Sequence, residues 1–249
     1  MTSPVKPRAN ITHVLFDMDG LLLNTEDLYT VVYDEILQRY GKSFTWEMKQ
    51  KMMGTKILEG AQLMIDELGL PFTPQDWVQM SRDRMTEVFV TAKLMPGVDK
   101  LIQHLHQHNV PIAVATSSTK YSFDRKATHH QEFFRLFHHI VCAGDDPDVK
   151  RGKPSPDAFL VAASRFDGEP PIPSNCLVFE DATLGVQAAK SAGMHAVLVP
   201  DKRLDTTSID DIVDQVIPSI EQFVPQEWGL PPYDGVLRTW WTSSGIVNI

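Results

Sequence analysis

The chain has 249 residues, of which 43% are hydrophobic, and its formal net charge at pH 7 is −9. This size and composition are typical of one large globular domain, or of one domain that carries an insertion. The negative charge disfavours binding to a nucleic acid polymer, and no apolar run reaches the ~18 residues needed to cross a bilayer, so we expect neither of these partners.

The first predicted element is a short buried strand, Val14–Phe16, which ends in the two carboxylates Asp17 and Asp19. Gly20 follows them and lets the backbone turn sharply. Carboxylates at the carboxyl end of a buried strand lie where open α/β sheets bind their ligands. The pattern therefore predicts a functional site at this strand end.

A helical insertion follows. Residues 25–94 contain several apolar stripes at helical spacing and no convincing strand. The break at Met95-Pro96-Gly97 marks the end of this insertion and the return to the part of the chain that contains the first strand. We predict a catalytic core of residues 1–24 and 95–235 and a cap of residues 25–94. The remaining residues, 236–249, form a C-terminal tail with no predicted element.

Four further apolar runs predict strands, and helix-like segments separate them. The runs are Ile112–Ala115, Ile140–Cys142, Cys176–Phe179 and Ala196–Val199. Short continuous apolar strands that alternate with helices predict an α/β fold with a doubly wound parallel sheet.

Polar residues come directly after these predicted strands. Thr116 and Ser117 follow the second run, Glu180 and Asp181 follow the fourth, and Lys153 lies in the loop after the third. The loops that follow the strands of a parallel sheet converge on one edge. We therefore expect Thr116, Lys153, Glu180 and Asp181 to join Asp17 and Asp19 in one acidic cluster.

Such a cluster needs a compensating cation. Two carboxylates ~5 Å apart repel by roughly 3 kcal/mol at an effective dielectric of 20. An all-oxygen site without His or Cys at suitable spacing favours a hard cation, and we predict Mg²⁺ as the cofactor.

A divalent cation, a lysine and a hydroxyl around a free carboxylate predict phosphoryl transfer. Lys153 would neutralise phosphate oxygens, and Thr116, with Ser117, Gly20 and nearby backbone N–H groups, would hold the others. Asp17 would attack phosphorus and form an aspartyl-phosphate. Asp19 is close enough in sequence to protonate the leaving oxygen and then activate water.

The motifs FDMDG, ATSS, GKPSPD and VFEDATLGVQAA resemble, in this order, the four motifs of the haloacid dehalogenase superfamily in its phosphatase and phosphomutase branch. The resemblance implies the same roles for Asp17 as nucleophile and Asp19 as acid/base. It also implies a metal site at Asp17, Asp181 and Glu180, to which Asp19 adds its backbone carbonyl. Glu180 has an alternative role as a partner that orients another group.

The insertion resembles the small helical cap of this superfamily. Its loop Gly54-Thr55-Lys56 is a candidate for substrate binding, although a plain turn explains it equally well. Within the superfamily, the segments FDMDGLLL, LMPG and the near-terminal GLPPY resemble those of pseudouridine-5′-phosphatases. This resemblance implies pseudouridine 5′-phosphate or a related nucleotide or sugar phosphate as substrate. Asn24 stands where the family usually has Asp, at the entrance to the cap.

Two alternative functions remain open. A sugar phosphomutase similar to β-phosphoglucomutase would return the phosphoryl group to another hydroxyl. A catalytically silent binding protein of the same fold would use core and cap as an interaction surface, and Asn24 and the tail with Trp240 and Trp241 give it slight support.

The expected location is the cytoplasm. The amino-terminal residues contain no apolar segment that resembles a signal peptide. Cys142 and Cys176 both lie in apolar strand-like runs, which favours buried free thiols over a disulfide. We expect a monomer that acts on a small-molecule phosphate ester.

Overall fold

The structure is a computed structural model that describes residues 7–52, 57–233, 239–242 and 245–248. The described chain divides into two units. The sheet unit consists of the described residues of Met1–Leu22, Leu94–Thr119 and Glu132–Ile249, and the helical unit consists of those of Leu23–Lys93 and Lys120–Gln131.

The elements are numbered in chain order. The α-helices are α1 (Thr25–Gln38), α2 (Trp46–Met52), α3 (Ile57–Leu68), α4 (Pro74–Val88), α5 (Val98–Gln107), α6 (Lys120–Lys126), α7 (Gln131–Phe134), α8 (Asp157–Ser164) and α9 (Thr183–Ser191). The strands are β1 (His13–Phe16), β2 (Ile112–Thr116), β3 (His139–Cys142), β4 (Cys176–Glu180), β5 (His195–Leu198), β6 (Gln215–Val216), β7 (Thr239–Thr242) and β8 (Gly245–Asn248). Short 3-10 helices lie at Phe89–Thr91, Pro173–Asn175, Thr207–Ile209, Ile220–Gln222 and Pro225–Trp228.

Within the described residues, strands β1 to β6 form one parallel sheet in the order β3-β2-β1-β4-β5-β6. The chain enters the sheet at its centre, extends to one edge through β2 and β3, and then builds the other half from β4 onward. This is the doubly wound arrangement, so the predicted fold class is confirmed. The five predicted strands are present, and β6 is an additional strand that the sequence did not predict.

Both faces of this sheet are buried, which explains why its strands are continuous apolar runs. Successive residues of a strand face opposite sides, so Leu15 and Phe16 belong to different faces. Leu15 packs in a core with Phe159 of α8 and Val186 of α9. On the opposite face, the ring of Phe16 stacks on that of Phe179 with centroids 5.0 Å apart.

The helical unit has a core of its own. Its members are Val32, Ile36, Leu37, Met48, Ala61, Met64, Ile65, Leu70, Trp77, Met85 and Phe89. The start of α4 is fixed by a capping box, in which the Thr73 hydroxyl accepts the Asp76 N–H and the Asp76 carboxylate accepts the Thr73 N–H. Among the described residues, no helix combines the length and the apolar character that crossing a lipid bilayer requires.

The segment Lys120–Gln131, which the sequence analysis grouped with the sheet, makes its contacts in the helical unit. The Arg125 guanidinium donates to the carbonyl of Thr86 through two nitrogens, at 2.9 and 3.1 Å. The Lys126 ammonium lies 4.5 Å from the centroid of the Phe89 ring. Each contact involves a cationic side chain of this segment, and hydrophobic periodicity does not predict such contacts.

Asn24 joins the two ends of the segment Leu23–Lys93. Its backbone N–H donates to the carbonyl of Lys93 at 3.0 Å, and its side-chain Oδ1 accepts the N–H of Lys93 at 2.8 Å. The second bond needs only an acceptor oxygen, which Asn and Asp both supply. The replacement of the usual Asp therefore preserves this contact.

The strands β7 and β8 pair with each other in antiparallel register. The sequence predicts no element in residues 236–249, and for the residues of β7 and β8 that prediction is wrong. Strands of four residues are too short to show a distinct alternation of apolar and polar positions.

Three histidines surround Phe166 at the amino-terminal edge of the sheet. The ring centroids of His13 and His139 each lie 4.7 Å from that of Phe166, and that of His138 lies 5.8 Å away. Burial, with a contribution from His138, lowers the pKa of His13, and burial also lowers the pKa of His139. The folded chain therefore favours the neutral form of both imidazoles.

This cluster predicts acid sensitivity. Because the folded state binds fewer protons here than the unfolded chain, the free energy of unfolding should fall as the pH drops below about 6.5. In His139→Gln that fall should be shallower between pH 6.5 and 5. Urea unfolding across this range measures it, with His129→Gln, a change at an exposed histidine, as the control. Equal slopes for His139→Gln and the parent protein would contradict the assignment.

Candidate functional site

Polar side chains lie at the carboxyl ends of β1, β2 and β4, at one edge of the sheet. The Asp17 N–H donates to the carbonyl of Phe179 at 3.0 Å, which continues the ladder one residue past β1. Glu180 and Thr116 are the last residues of β4 and β2, and both are buried. Because β1 lies between β2 and β4, Asp17 is next to the ends of both neighbouring strands.

Lys153 reaches this edge from the loop between β3 and α8. Its ammonium donates to Asp17 Oδ1 at 2.5 Å, to Glu180 Oε1 at 2.6 Å and to the carbonyl of Ala115 at 3.2 Å. The Lys153 side chain is only 9% exposed, and its two carboxylate partners are less exposed still. The structure thus brings together residues that lie up to 163 positions apart in the sequence, the separation of Asp17 and Glu180.

Asp19 is held by hydroxyl groups from the end of β2 and from the segment that follows it. Its Oδ2 accepts the hydroxyl of Ser118 at 2.9 Å and that of Thr116 at 3.3 Å. Gly20 has a φ of 77°, as the predicted sharp turn requires. Ser117, a predicted phosphate-binding residue, is exposed, and Ser118 is the contact that the sequence analysis missed. Thr116 to Thr119 are four consecutive hydroxyl residues, and the sequence gives no signal for which of them contact Asp19.

Three carboxylates lie close enough together to hold a metal ion. One carboxylate oxygen from each of Asp17, Glu180 and Asp181 lies within 4.8 Å of the others. This all-oxygen donor set fits a hard divalent cation. The Asp19 carboxylate is outside this group of three, and the contribution of its backbone carbonyl stays a prediction. Gly54, Thr55 and Lys56 lie outside the described residues.

Residues 11–193 match the family described as haloacid dehalogenase-like hydrolase. The chain belongs to this family. The match covers β1, the segment after β2, the Lys153 loop and the end of β4, which are the parts that build the site. The resemblance inferred from the four sequence motifs is confirmed.

Relatives of the chain in this family include phosphatases with two different names. (DL)-glycerol-3-phosphatase 2 of Arabidopsis thaliana is 49% identical, over 91% of this chain and 95% of its own length. A Drosophila melanogaster protein named "Probable pseudouridine-5'-phosphatase" is 45% identical, over 90% of this chain and 96% of its own. These relatives and the family match confirm the predicted enzyme class, a phosphomonoesterase of the haloacid dehalogenase-like family.

A solved structure shows the same fold. The HAD family hydrolase from Deinococcus radiodurans R1, with bound phosphate and sodium, superposes on this chain with a TM-score of 0.73 and 22% sequence identity. The superposition covers 90% of this chain and 99% of that chain.

The cluster of Asp17, Asp19, Glu180, Asp181 and Lys153 carries an excess of negative charge. Burial raises the pKa of Asp17 to about 7; Lys153 opposes the rise, and Glu180 and Asp19 add to it. Burial would lower the pKa of Lys153, but its carboxylate neighbours outweigh that effect and raise it, so the ammonium stays charged. One lysine does not offset all the carboxylates at this edge. An additional cation would stabilise the ionised form of Asp17.

Glu180 is fixed from several sides. Its Oε2 accepts the backbone N–H groups of Asp181 at 3.1 Å and Ala182 at 3.3 Å, while Oε1 accepts Lys153. A Cβ built at Gly185 on α9 would lie 1.8 Å from the Glu180 carboxyl carbon. Gly185 therefore leaves room for this carboxylate. It was not among the site residues predicted from the sequence.

Gly185→Ala should displace Glu180 and loosen its bond to Lys153. Overpacking of this kind destabilises a protein by about 1–3 kcal/mol. Chemical unfolding at pH 7 measures the change. Gly152→Ala is the matched control, because a Cβ there meets nothing within 4 Å and its φ is not positive. A Gly185→Ala protein as stable as Gly152→Ala would show that the site tolerates the methyl group.

Proposed function

We propose that this protein is a Mg²⁺-dependent phosphatase that hydrolyses a small phosphomonoester through an aspartyl-phosphate on Asp17. The observation that carries the proposal is the Lys153 ammonium, held between Asp17 and Glu180 beside the carboxylate of Asp181. This arrangement puts a nucleophile, a fixed positive charge and a cation-binding donor set in one place. These are the components that phosphoryl transfer needs.

In the first half of the reaction, a carboxylate oxygen of Asp17 attacks phosphorus while the bond from phosphorus to the ester oxygen breaks. Asp19 gives its proton to the departing alkoxide, which leaves as an alcohol. Lys153 offsets charge on the phosphoryl oxygens, and Thr116 with the backbone N–H groups of Ser117 and Gly20 binds them.

In the second half, Asp19 takes a proton from a water molecule as the water oxygen attacks phosphorus. The bond from phosphorus to Asp17 breaks, and inorganic phosphate leaves. Both carboxyl groups return to their starting states. The hydroxyls of Ser118 and Thr116 orient Asp19 through Oδ2 for these two proton transfers.

Asp17, Asp181 and Glu180, with the backbone carbonyl of Asp19, would hold the Mg²⁺. Bound there, the ion would offset negative charge on the phosphoryl group. Glu180 has a second role, because its two oxygens already accept Lys153 and the backbone after β4. We assign it to the placement of Lys153 as well as to the metal.

The substrate is a small phosphate ester, and pseudouridine 5′-phosphate is the compound that we propose first. The relative at 45% identity with that activity in its name supports this choice, and the glycerol-3-phosphatase at 49% makes glycerol 3-phosphate the competitor. We further propose that residues 25–94 act as a cap and that Gly54, Thr55 and Lys56 contact the substrate. The cytoplasmic location and the monomeric state stay predictions.

Asp17→Asn should lower phosphate release by about 10³-fold or more, because the amide cannot attack phosphorus. The assay measures phosphate released from pseudouridine 5′-phosphate, uridine 5′-phosphate, glycerol 3-phosphate and a sugar 1-phosphate, with product analysis for an isomerised sugar phosphate. Asp211→Asn, a change at an exposed carboxylate, is the control. An Asp17→Asn protein that releases phosphate at the parent rate would end this mechanism, and an isomerised product without phosphate release would favour the mutase.

Removal of divalent cations should stop turnover, and Mg²⁺ should restore it. In Asp181→Asn the Mg²⁺ concentration for half-maximal rate should rise by about tenfold or more, because one carboxylate donor is lost. Mg²⁺ should also raise the melting temperature of the parent protein, and it should do so less for Asp181→Asn. Full activity after verified removal of metal would refute the metal requirement.

A further inference from the structure

The loop between β3 and α8 carries Lys153, and its first half is tied to the residue that follows α8. Arg165 donates to both oxygens of Asp146, at 2.6 and 2.8 Å, and to Asp148 Oδ2 at 2.7 Å. The Asp146 side chain is only 11% exposed. A bidentate guanidinium–carboxylate pair that is partly shielded from water is stronger and more directional than an exposed ion pair.

The second half of the same loop is tied to the start of α8. The carboxylate of Asp157, the first residue of that helix, accepts the Arg151 N–H at 3.0 Å and the Ser155 hydroxyl at 2.5 Å. Lys153 lies between Arg151 and Ser155 in the sequence. The loop is therefore anchored on both sides of the lysine, and both anchors depend on one helix.

α8 also contacts the lysine directly. The ring of Phe159 is fully buried, and its centroid lies 4.8 Å from the Lys153 ammonium. Phe159 is part of the core under the sheet, together with Leu15 of β1. α8 and β1 thus share one buried core, so a loop bound to α8 is held at a defined position relative to the end of β1.

We propose that Arg165 is a positioning residue for Lys153. It does not reach the site; it joins Asp146 and Asp148 and holds the loop against α8, so that the ammonium stays between Asp17 and Glu180. Without the guanidinium, these two carboxylates repel each other and the first half of the loop separates from the helix. This inference rests on the proposed function, because it assigns Arg165 to the placement of a catalytic lysine.

The direct test measures Lys153 rather than turnover. A short pulse of acetic anhydride followed by peptide mass spectrometry gives the acylation rate of each lysine. Lys153 should react slowly in the parent protein, and about fivefold or more faster in Arg165→Met, because local opening exposes the amine. Lys150, which is exposed in the same loop, serves as the internal reference.

Kinetics supply the second readout. Lys153 acts on the phosphoryl group that all substrates share, so Arg165→Met should lower kcat/KM by about 10-fold to 100-fold, by the same factor for each ester. Arg165→Lys should recover part of the loss, since an ammonium pairs with one carboxylate but lacks the planar fork. Arg135→Met removes a surface ion pair with Glu132 and should change neither readout.

Asp148→Asn keeps the bidentate pair with Asp146 and removes the negative charge from the third contact of Arg165, so it should give smaller effects in both assays even if Arg165→Met folds poorly. Unchanged Lys153 acylation in Arg165→Met and Asp148→Asn would overturn the proposal, whatever the turnover. A loss that differs between substrates would also overturn it. If the parent protein hydrolyses no ester, the proposed function fails, while faster acylation would still support the link from Arg165 to Lys153.

Discussion

The buried ammonium of Lys153 between Asp17 and Glu180 is the interaction on which the site depends. Removal of one partner from a buried ion pair typically destabilises a protein by about 3–5 kcal/mol, because the remaining charge has no compensation. Asp17, Lys153 and Glu180 are each placed by a different part of the fold. Asp17 follows β1, Glu180 ends β4, and Lys153 comes from a loop that is anchored on α8.

The strand order explains why these groups can meet at all. β1 lies at the centre of the sheet, so the residue that follows it is next to the ends of β2 and β4. Small residues then permit close approach where side chains converge. A methyl group at Gly185 would overlap the Glu180 carboxylate, and one at Gly144 would lie 2.8 Å from the backbone nitrogen of Thr119, in the segment that holds Asp19.

The charge imbalance of the site connects its structure with its chemistry. Burial among acidic neighbours makes ionised Asp17 unfavourable, and the proposed mechanism needs the ionised form. A divalent cation beside Asp181 would restore that form and would at the same time attract a phosphate ester. A protein of net charge −9 can therefore bind an anionic substrate, because the local field at one strand edge differs from the overall charge.

The sequence by itself determined the sheet strands β1 to β5, the helical segment after the first strand, and the polar residues at the strand ends. Hydrophobic periodicity and turn residues are local properties, and they can be read without a structure. The two-residue strand β6 was missed because so short a run has no periodicity. Only the tertiary structure decided that Ser118 joins Thr116 in contacting Asp19, that Gly185 makes room for Glu180, and that Arg165 anchors the Lys153 loop. These contacts depend on the direction of the backbone in each turn and on distances between residues remote in sequence, which no local pattern encodes.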